Sequence, residues 1–341
     1  MSRTETTTQT TTNHPFCQNE EQFHMIQLKE VDYLKDIAKK DEFKPQIVWK
    51  MVIFYALLHA FSLYGCYQLI TAAKWFTCAW VVFTWGIAVL GITAGAHRLY
   101  SHKCYSANLP LRIIVMIMNC VSHQNDMIDW ARDHRCHHKW TDTDADPHNV
   151  IRGFLFSHIG WVLQKSTQRS EKWRRFYLPL AMLFCFVLPT AIPVYFWQEK
   201  ALVAFSVAVF RYCCSLHSIF FVNSVAHTIG YRPYDSTISP TEVIWMTAST
   251  LGEGGHNYHH AFPQDYRTSE FHLYKHTLFN FTLAFIEFFA WLGWATDLKT
   301  VNRDTVKSHI IKHGQIELLS EKKISRIIIF CIFYIFIWKL Q

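Results

Sequence analysis

Apolar residues dominate four stretches of about 20 or more positions, at 47–72, 75–96, 178–198 and 201–222. As a helix rising ~1.5 Å per residue, each is long enough to cross a hydrocarbon core of ~30 Å. Only short turns, near Lys74 and near Glu199–Lys200, separate the members of each pair. The pattern therefore predicts two transmembrane hairpins. Three shorter apolar pieces remain, at 109–121, 278–294 and 327–338. The first two read as interfacial or buried helices. The last, twelve residues from Ile327 to Trp338, reads as a membrane-dipping anchor rather than a fifth span.

Long polar segments lie before, between and after the hairpins. The middle one, 97–177, carries twelve Lys and Arg residues, which the positive-inside rule puts in the cytosol. Four spans then place both termini there as well. The expected fold class is an all-α integral membrane protein, with four transmembrane helices in two hairpins and a cytosolic helical cap. Three regions are expected: a cytosolic N-terminal segment over 1–45, disordered in its Thr-rich head; a membrane domain over 46–298; and a C-terminal tail over 299–341 with the apolar segment. The first 45 residues hold no apolar segment, so the first span is expected to act as the targeting signal.

Composition changes this picture little. Half of the 341 residues are apolar, which fits membrane helices joined to a substantial water-facing part. The net charge of +7 includes no run of five Lys or Arg, so nucleic acid is not an expected partner; anionic lipid or an anionic ligand is. Ten scattered cysteines without a C-x-x-C pair read as reduced core residues.

The histidines change it decisively. The chain has twenty, and nine fall into four tight groups: His97 and His102; His134, His137 and His138; His227; and His256, His259 and His260. Residues i, i+3 and i+4 share a helix face, so each triplet is expected to present three imidazoles to one side. A lone histidine on a helix is ordinarily a satisfied polar residue. Two H-x-x-H-H triplets beside a pair and a fourth group imply metal. Nine imidazoles exceed the capacity of one ion, so two ions are implied, at the cytosolic mouth of the spans. Glu253 and Asp133 adjoin the groups and read as carboxylates that orient imidazoles. His123, His148, His158 and His217 read as structural or supporting residues. An all-nitrogen di-metal site has no ready nucleophile or acid–base pair, and suits redox chemistry with O₂.

At these residues the sequence resembles the membrane acyl-CoA desaturases, the stearoyl-CoA desaturase family, and particularly its insect branch. The resemblance runs from about 45 to 298. Its motifs are G-I-T-A-G-A-H-R-L-Y-S-H at 91–102, W-A-R-D-H-R-C-H-H-K-W at 130–140, T-D-A-D-P-H-N at 143–149, N-S-V-A-H at 223–227 and G-E-G-G-H-N-Y-H-H at 252–260. It implies that the nine histidines bind two iron ions, with Asn223 assisting through water. It implies one O₂ and two electrons per double bond, the electrons coming from cytochrome b5 and its NADH-dependent reductase. No haem-binding H-P-G-G motif is present, so the donor is expected to be a separate protein. The resemblance further implies the endoplasmic reticulum membrane, a fatty acyl-CoA substrate, head-group contacts at Asn125, Arg132, Asp133 and Lys165, and acyl-carbonyl contacts at Gln124 and Trp130.

The sequence departs from the family pattern at Met51 (commonly Asn), Tyr100 (Trp), Phe220 (often Trp), Gly255 (an aromatic) and Gln264 (an aromatic). Three of these changes are expected to remove bulk near the third histidine group or the acyl tunnel. Trp85 and Val89, at spacings near four from His97 on the second span, are expected to limit chain length. Two other readings stay open: a fatty acyl or alkane hydroxylase of the same histidine-box group, and a membrane metal-binding receptor or transporter without redox chemistry.

Overall fold

The computed structural model describes residues 46–164, 171–269 and 280–315. The expected N-terminal segment 1–45, the head-group residue Lys165 and the apolar segment 327–338 lie outside the described residues.

Four helices are long and apolar enough to cross a membrane: Trp49–Thr71, Trp75–Ser101, Arg175–Trp197 and Ala201–Thr228. They match the four apolar stretches. Two run further than hydropathy suggests, the second to Ser101 and the fourth to Thr228, because their polar ends carry His97 and His227 inward. We label the helices α1 (Trp49–Thr71), α2 (Trp75–Leu90, continued to Ser101), α3 (Leu109–Ser122), α4 (Met127–Lys139), α5 (Phe154–His158), α6 (Glu171–Met182), α7 (Leu188–Trp197, continuing α6), α8 (Ala201–Thr228), α9 (Met246–Ser249), α10 (His256–Ala261), α11 (Phe281–Trp291) and α12 (Arg303–His313). The two shorter apolar pieces within the described residues are α3 and α11, as expected. One two-residue pair, β1 (Ser106–Ala107) with β2 (Ala295–Thr296), ties the start of the cap to its end.

The fourth span is the central one: 72% of its apolar window is buried, against 22% for the first and third spans. α1 crosses it at Gly65, where a Cβ would lie 2.1 Å from the Ser206 carbonyl oxygen. α2 crosses α3 at Gly91, where a Cβ would meet the Met118 backbone at 2.4 Å. Such small-residue contacts let membrane helices approach closely.

The third span contains Pro189 and Pro193, which have no N–H to give the carbonyls four residues earlier. Those carbonyls belong to Cys185 and Pro189. Within the membrane a freed carbonyl must find another donor. Arg211 of α8 donates to Cys185 O at 2.5 Å and to Val121 O at 2.9 Å, and Trp80 of α2 donates to Pro189 O at 3.1 Å. This accounts for an arginine only 1% exposed in a membrane helix. The two hairpin turns are latched to each other: Glu199 accepts from Lys74 N at 2.8 Å and Thr77 Oγ1 at 2.6 Å.

The second span changes winding at Gly91. From Gly91 to Ser101 it is π-helical, with hydrogen bonds from residue i to i+5, such as His102 N to His97 O at 3.1 Å. Long π segments are rare and concentrate at functional sites.

Candidate metal centre

The π winding has a chemical consequence. His97 and His102 are five residues apart, and only a helix whose turns close at i+5 stacks them on one face. Arg98, between them, is fully buried and fixes the segment from outside. It donates to Glu253 Oε1 at 2.9 Å, Thr268 Oγ1 at 2.8 Å and Tyr266 O at 2.7 Å.

α4 starts under an Asp126 cap that accepts from Ile128 N and Asp129 N, both at 3.0 Å, and it carries His134, His137 and His138 in its last turns. α8 brings His227 in at its end. α10 brings His256, His259 and His260. All nine rings converge, but not as two one-sided triplets. His97, His102, His134, His138 and His259 form one cluster; His137, His227, His256 and His260 form another; in each, the ligand atoms lie within 4.8 Å of one another.

The expectation of three imidazoles to one side is thus corrected: each triplet divides. At about 100° per residue, i+3 and i+4 fall on opposite flanks of i. On α4 the pair i, i+4 serves the first cluster and i+3 the second. On α10 the assignment reverses: His256 and His260 serve the second cluster and His259 the first. One helical turn therefore supplies both centres, and the two clusters are held side by side.

Facing Nε2 atoms are 2.9 Å apart for His97–His259, His102–His134 and His138–His259, and 3.0–3.1 Å for His227–His256 and His256–His260. Burial, then mutual repulsion, pushes His102, His134, His138, His256, His259 and His260 well below the usual histidine pKa. The rings are therefore neutral, with lone pairs ready for metal without proton loss. A buried knot of facing lone pairs is satisfied by cations, and this donor set fits two imidazole-preferring transition ions.

The outer nitrogens are held by carboxylates. His137 Nδ1 donates to Asp146 at 2.9 Å, His227 Nδ1 to Asp142 at 3.2 Å, and His97 Nδ1 faces Glu253 Oε2 at 3.3 Å. Such partners fix the ring orientation of metal-binding histidines. Burial works against each carboxylate's charge, but Arg98 and His97 hold Glu253 at about 2, and the His227 and Ser239 hydrogen bonds hold Asp142 at about 2. Burial also opposes charge on His137, yet Asp146 holds its pKa above the usual value. Sequence reading singled out Glu253 but missed Asp142 and Asp146. The T-D-A-D-P-H-N motif was the available signal, since its Asp146 also accepts from His148 N and Asp142 N, building the loop around itself. Asp133 pairs with Arg132 at 2.9 Å.

Comparison with known proteins gives the same direction. No family model matches the chain. A Delta(9)-fatty-acid desaturase of Caenorhabditis elegans, fat-6, is 47% identical over 314 residues, covering 86% of this chain and 91% of its own length. The chain belongs to the acyl-CoA desaturases. An acyl-CoA Delta(11) desaturase of Spodoptera littoralis is 45% identical, with 84% of this chain and 88% of its own covered. The stearoyl-CoA desaturase of Homo sapiens is 44% identical, with coverages of 83% and 84%. Family membership removes the hydroxylase and non-redox receptor readings from favour.

In this desaturase one cavity touches the first cluster through His134 and runs between α1, α4, the third span and α8. Gln124, Asn125, Trp130, Asp133 and Asn223 all line it, so five of the expected site residues share one wall with a cluster histidine. Trp130 stacks on His134, with ring centroids 4.8 Å apart. Asn223 stands one turn before His227 on α8. Arg132 is buried, donating to Asp129 and Asp133, two carboxylates on the cavity wall. Of the expected tunnel residues, Val89 is fully buried in the core beside Ile92 and Met127, and Trp85 packs against that core while donating to Ser218 Oγ at 3.2 Å. Ile219, in the same core, does line the cavity.

The departures from the family pattern separate in space. Met51 and Phe220 line the cavity. Gln264 is exposed. Gly255 opens no room: a Cβ there would lie 2.6 Å from Ser269 Cβ and from Thr268 O. The expectation that glycine removes bulk at this point is corrected, because the following loop already fills the space.

Proposed function

We propose that this chain desaturates saturated fatty acyl-CoA at the cytosolic face of the endoplasmic reticulum membrane, with O₂ as oxidant and electrons from ferrocytochrome b5. The observation that carries this reading is the division of nine histidines into two adjacent clusters, one of which reaches a cavity between membrane helices through His134. Two iron ions held by His97, His102, His134, His138 and His259, and by His137, His227, His256 and His260 with Asn223 close by, would supply the oxygen chemistry that unactivated methylenes require. Each double bond consumes one O₂, two electrons and two protons, and two water molecules form.

The protein's own contribution is geometric. Methylenes along a saturated chain are chemically alike, so the position of attack is set by how far the chain enters and where it bends. Gln124 and Trp130 hold the acyl carbonyl end in this proposal, which the anchoring of the Gln124 amide on Ser215 O at 3.1 Å and the stacking of Trp130 on His134 support. Asn125 and Asp133 stand at the same wall for the head group, with Arg132 and Lys165 supplying positive charge for phosphates. Trp85 and Val89 limit depth from behind Ile219.

The test is expression in yeast lacking its own acyl-CoA desaturase, with double bonds located by gas chromatography–mass spectrometry of dimethyl disulfide adducts. A new monoene that disappears in His137→Ala supports the reading. Hydroxylated lipids in place of a monoene would sink it.

A further inference from the structure

Away from the nine-histidine centre, His59 on α1 and Cys213 and His217 on α8 bring their ligand atoms within 4.8 Å of one another. We propose that these three residues form a third metal site, for a soft or borderline late-transition ion such as Zn²⁺ or Cu⁺, which staples the first span to the fourth.

Cys213 and His217 are four residues apart, so one face of α8 presents both to α1. The Nε2 atoms of His59 and His217 are 2.9 Å apart, the spacing seen between facing rings in the other two clusters. The opposite nitrogen of each ring is already engaged. His59 Nδ1 lies 2.6 Å from Tyr55 O, which only accepts, so Nδ1 carries the proton and Nε2 is a lone pair. His217 Nδ1 lies 2.9 Å from His158 Nε2, and His158 Nδ1 lies 2.9 Å from Ser224 Oγ. Ser224 gives its own proton to Phe220 O at 3.0 Å. It therefore accepts from His158 Nδ1, His158 Nε2 accepts from His217 Nδ1, and His217 Nε2 is left as a second lone pair. Two lone pairs at this distance call for a cation between them. The buried Cys213 sulfur, at 6% exposure, supplies a third donor.

Two imidazoles and a thiolate select zinc or copper(I) over the hard cations. Holding the outer ring nitrogens on carbonyl, imidazole and hydroxyl partners is how proteins aim metal-binding histidines. The location gives the site its consequence. Tyr55, whose carbonyl holds His59, and Phe220, whose ring lies 6.0 Å from His217 and 5.9 Å from His158, both line the substrate cavity. An ion here would fix that wall from behind without touching the chain being oxidised.

The test uses the purified full chain in detergent. Co²⁺ is added after the nine-histidine centre has been loaded, and metal content is measured by mass spectrometry. A thiolate-to-cobalt charge-transfer band is expected, which the sulfur-free histidine clusters cannot produce. It should vanish in Cys213→Ser and in His59→Gln, and persist in Cys214→Ser and in His137→Ala. Parallel titrations with Zn²⁺ and Cu⁺ alone identify the preferred ion by which one displaces cobalt at lower concentration. His137→Ala also separates the two readings, since it removes the monoene and leaves the band. No band in wild type, or a band that survives Cys213→Ser, overturns the proposal; the two Nε2 atoms then share a proton.

Discussion

His137 is held by Asp146 with both at most 1% exposed, and this pair is where a single atom most directly controls the metal centre. Asp146→Asn keeps the shape but replaces a carboxylate acceptor with an amide. Loss of such a partner typically lowers metal affinity about 10–100-fold. Metal content after dialysis against a graded chelator should fall by that order, with desaturation falling in parallel; unchanged retention would show that Asp146 only builds its loop. A second residue reports on the folding of the segment that carries α10. Glu242 is fully buried and accepts from Tyr258 N at 2.8 Å. Burial raises its pKa from the usual 4.5 to about 8. Between these values the unfolded chain ionises this group while the folded chain keeps the proton, so its contribution to stability declines as pH rises through that window. Glu242→Gln retains the carbonyl acceptor and cannot ionise. The variant's melting temperature relative to wild type should rise from pH 5 to pH 8; a constant difference would contradict the assignment.

At the scale of elements, the decisive features are departures from regular winding. The π segment 91–101 turns an i, i+5 pair of histidines into neighbours, and the split of i, i+3 and i+4 on α4 and α10 serves two centres from single turns. Prolines in the third span create the need that Arg211 and Trp80 meet. Arg211→Met should strand the carbonyls of Cys185 and Val121, each costing about 1–3 kcal/mol. Trp80→Phe strands only the carbonyl of Pro189 and should cost about half as much, as read from thermal unfolding in detergent. Equal losses would argue against this satisfaction scheme. Gly91→Ala is expected to be worse than either, because its Cβ meets Met118 backbone that cannot move aside without displacing α3. These elements were partly legible. Hydropathy located all four spans and the two short apolar helices, since burial in lipid demands long apolar runs. It did not reveal the π winding, which depends on hydrogen bonds that sequence pattern does not encode.

Across the whole molecule, two hairpins latched at Glu199 hold a cavity lined by α1, the third span and α8 that meets the first histidine cluster at His134. Met51 and Phe220 are the two departures from the family pattern that face it. Phe220→Ala should therefore shift the chain length or double-bond position of the product, while Gln264→Trp, on an exposed loop position, should leave both unchanged. The adduct analysis reads both variants. A shift from Gln264→Trp and none from Phe220→Ala would relocate the determinant of selectivity.

The sequence by itself determined the membrane architecture and the identity of the nine histidines, because long apolar runs and clustered imidazoles have few other physical explanations. It also pointed to Glu253, which adjoins the third histidine group in the chain, although the ring it faces in the fold is that of His97. Only the tertiary structure decided which histidine serves which centre, since that depends on the azimuth of each helix. Only the structure brought in Asp142 and Asp146 as orienting carboxylates, closed the room at Gly255 with residues 268 and 269, and joined His59 to Cys213 and His217 across more than 150 positions of chain. Contacts of that separation follow from how helices pack, and packing is a property of the assembled surfaces rather than of any local pattern.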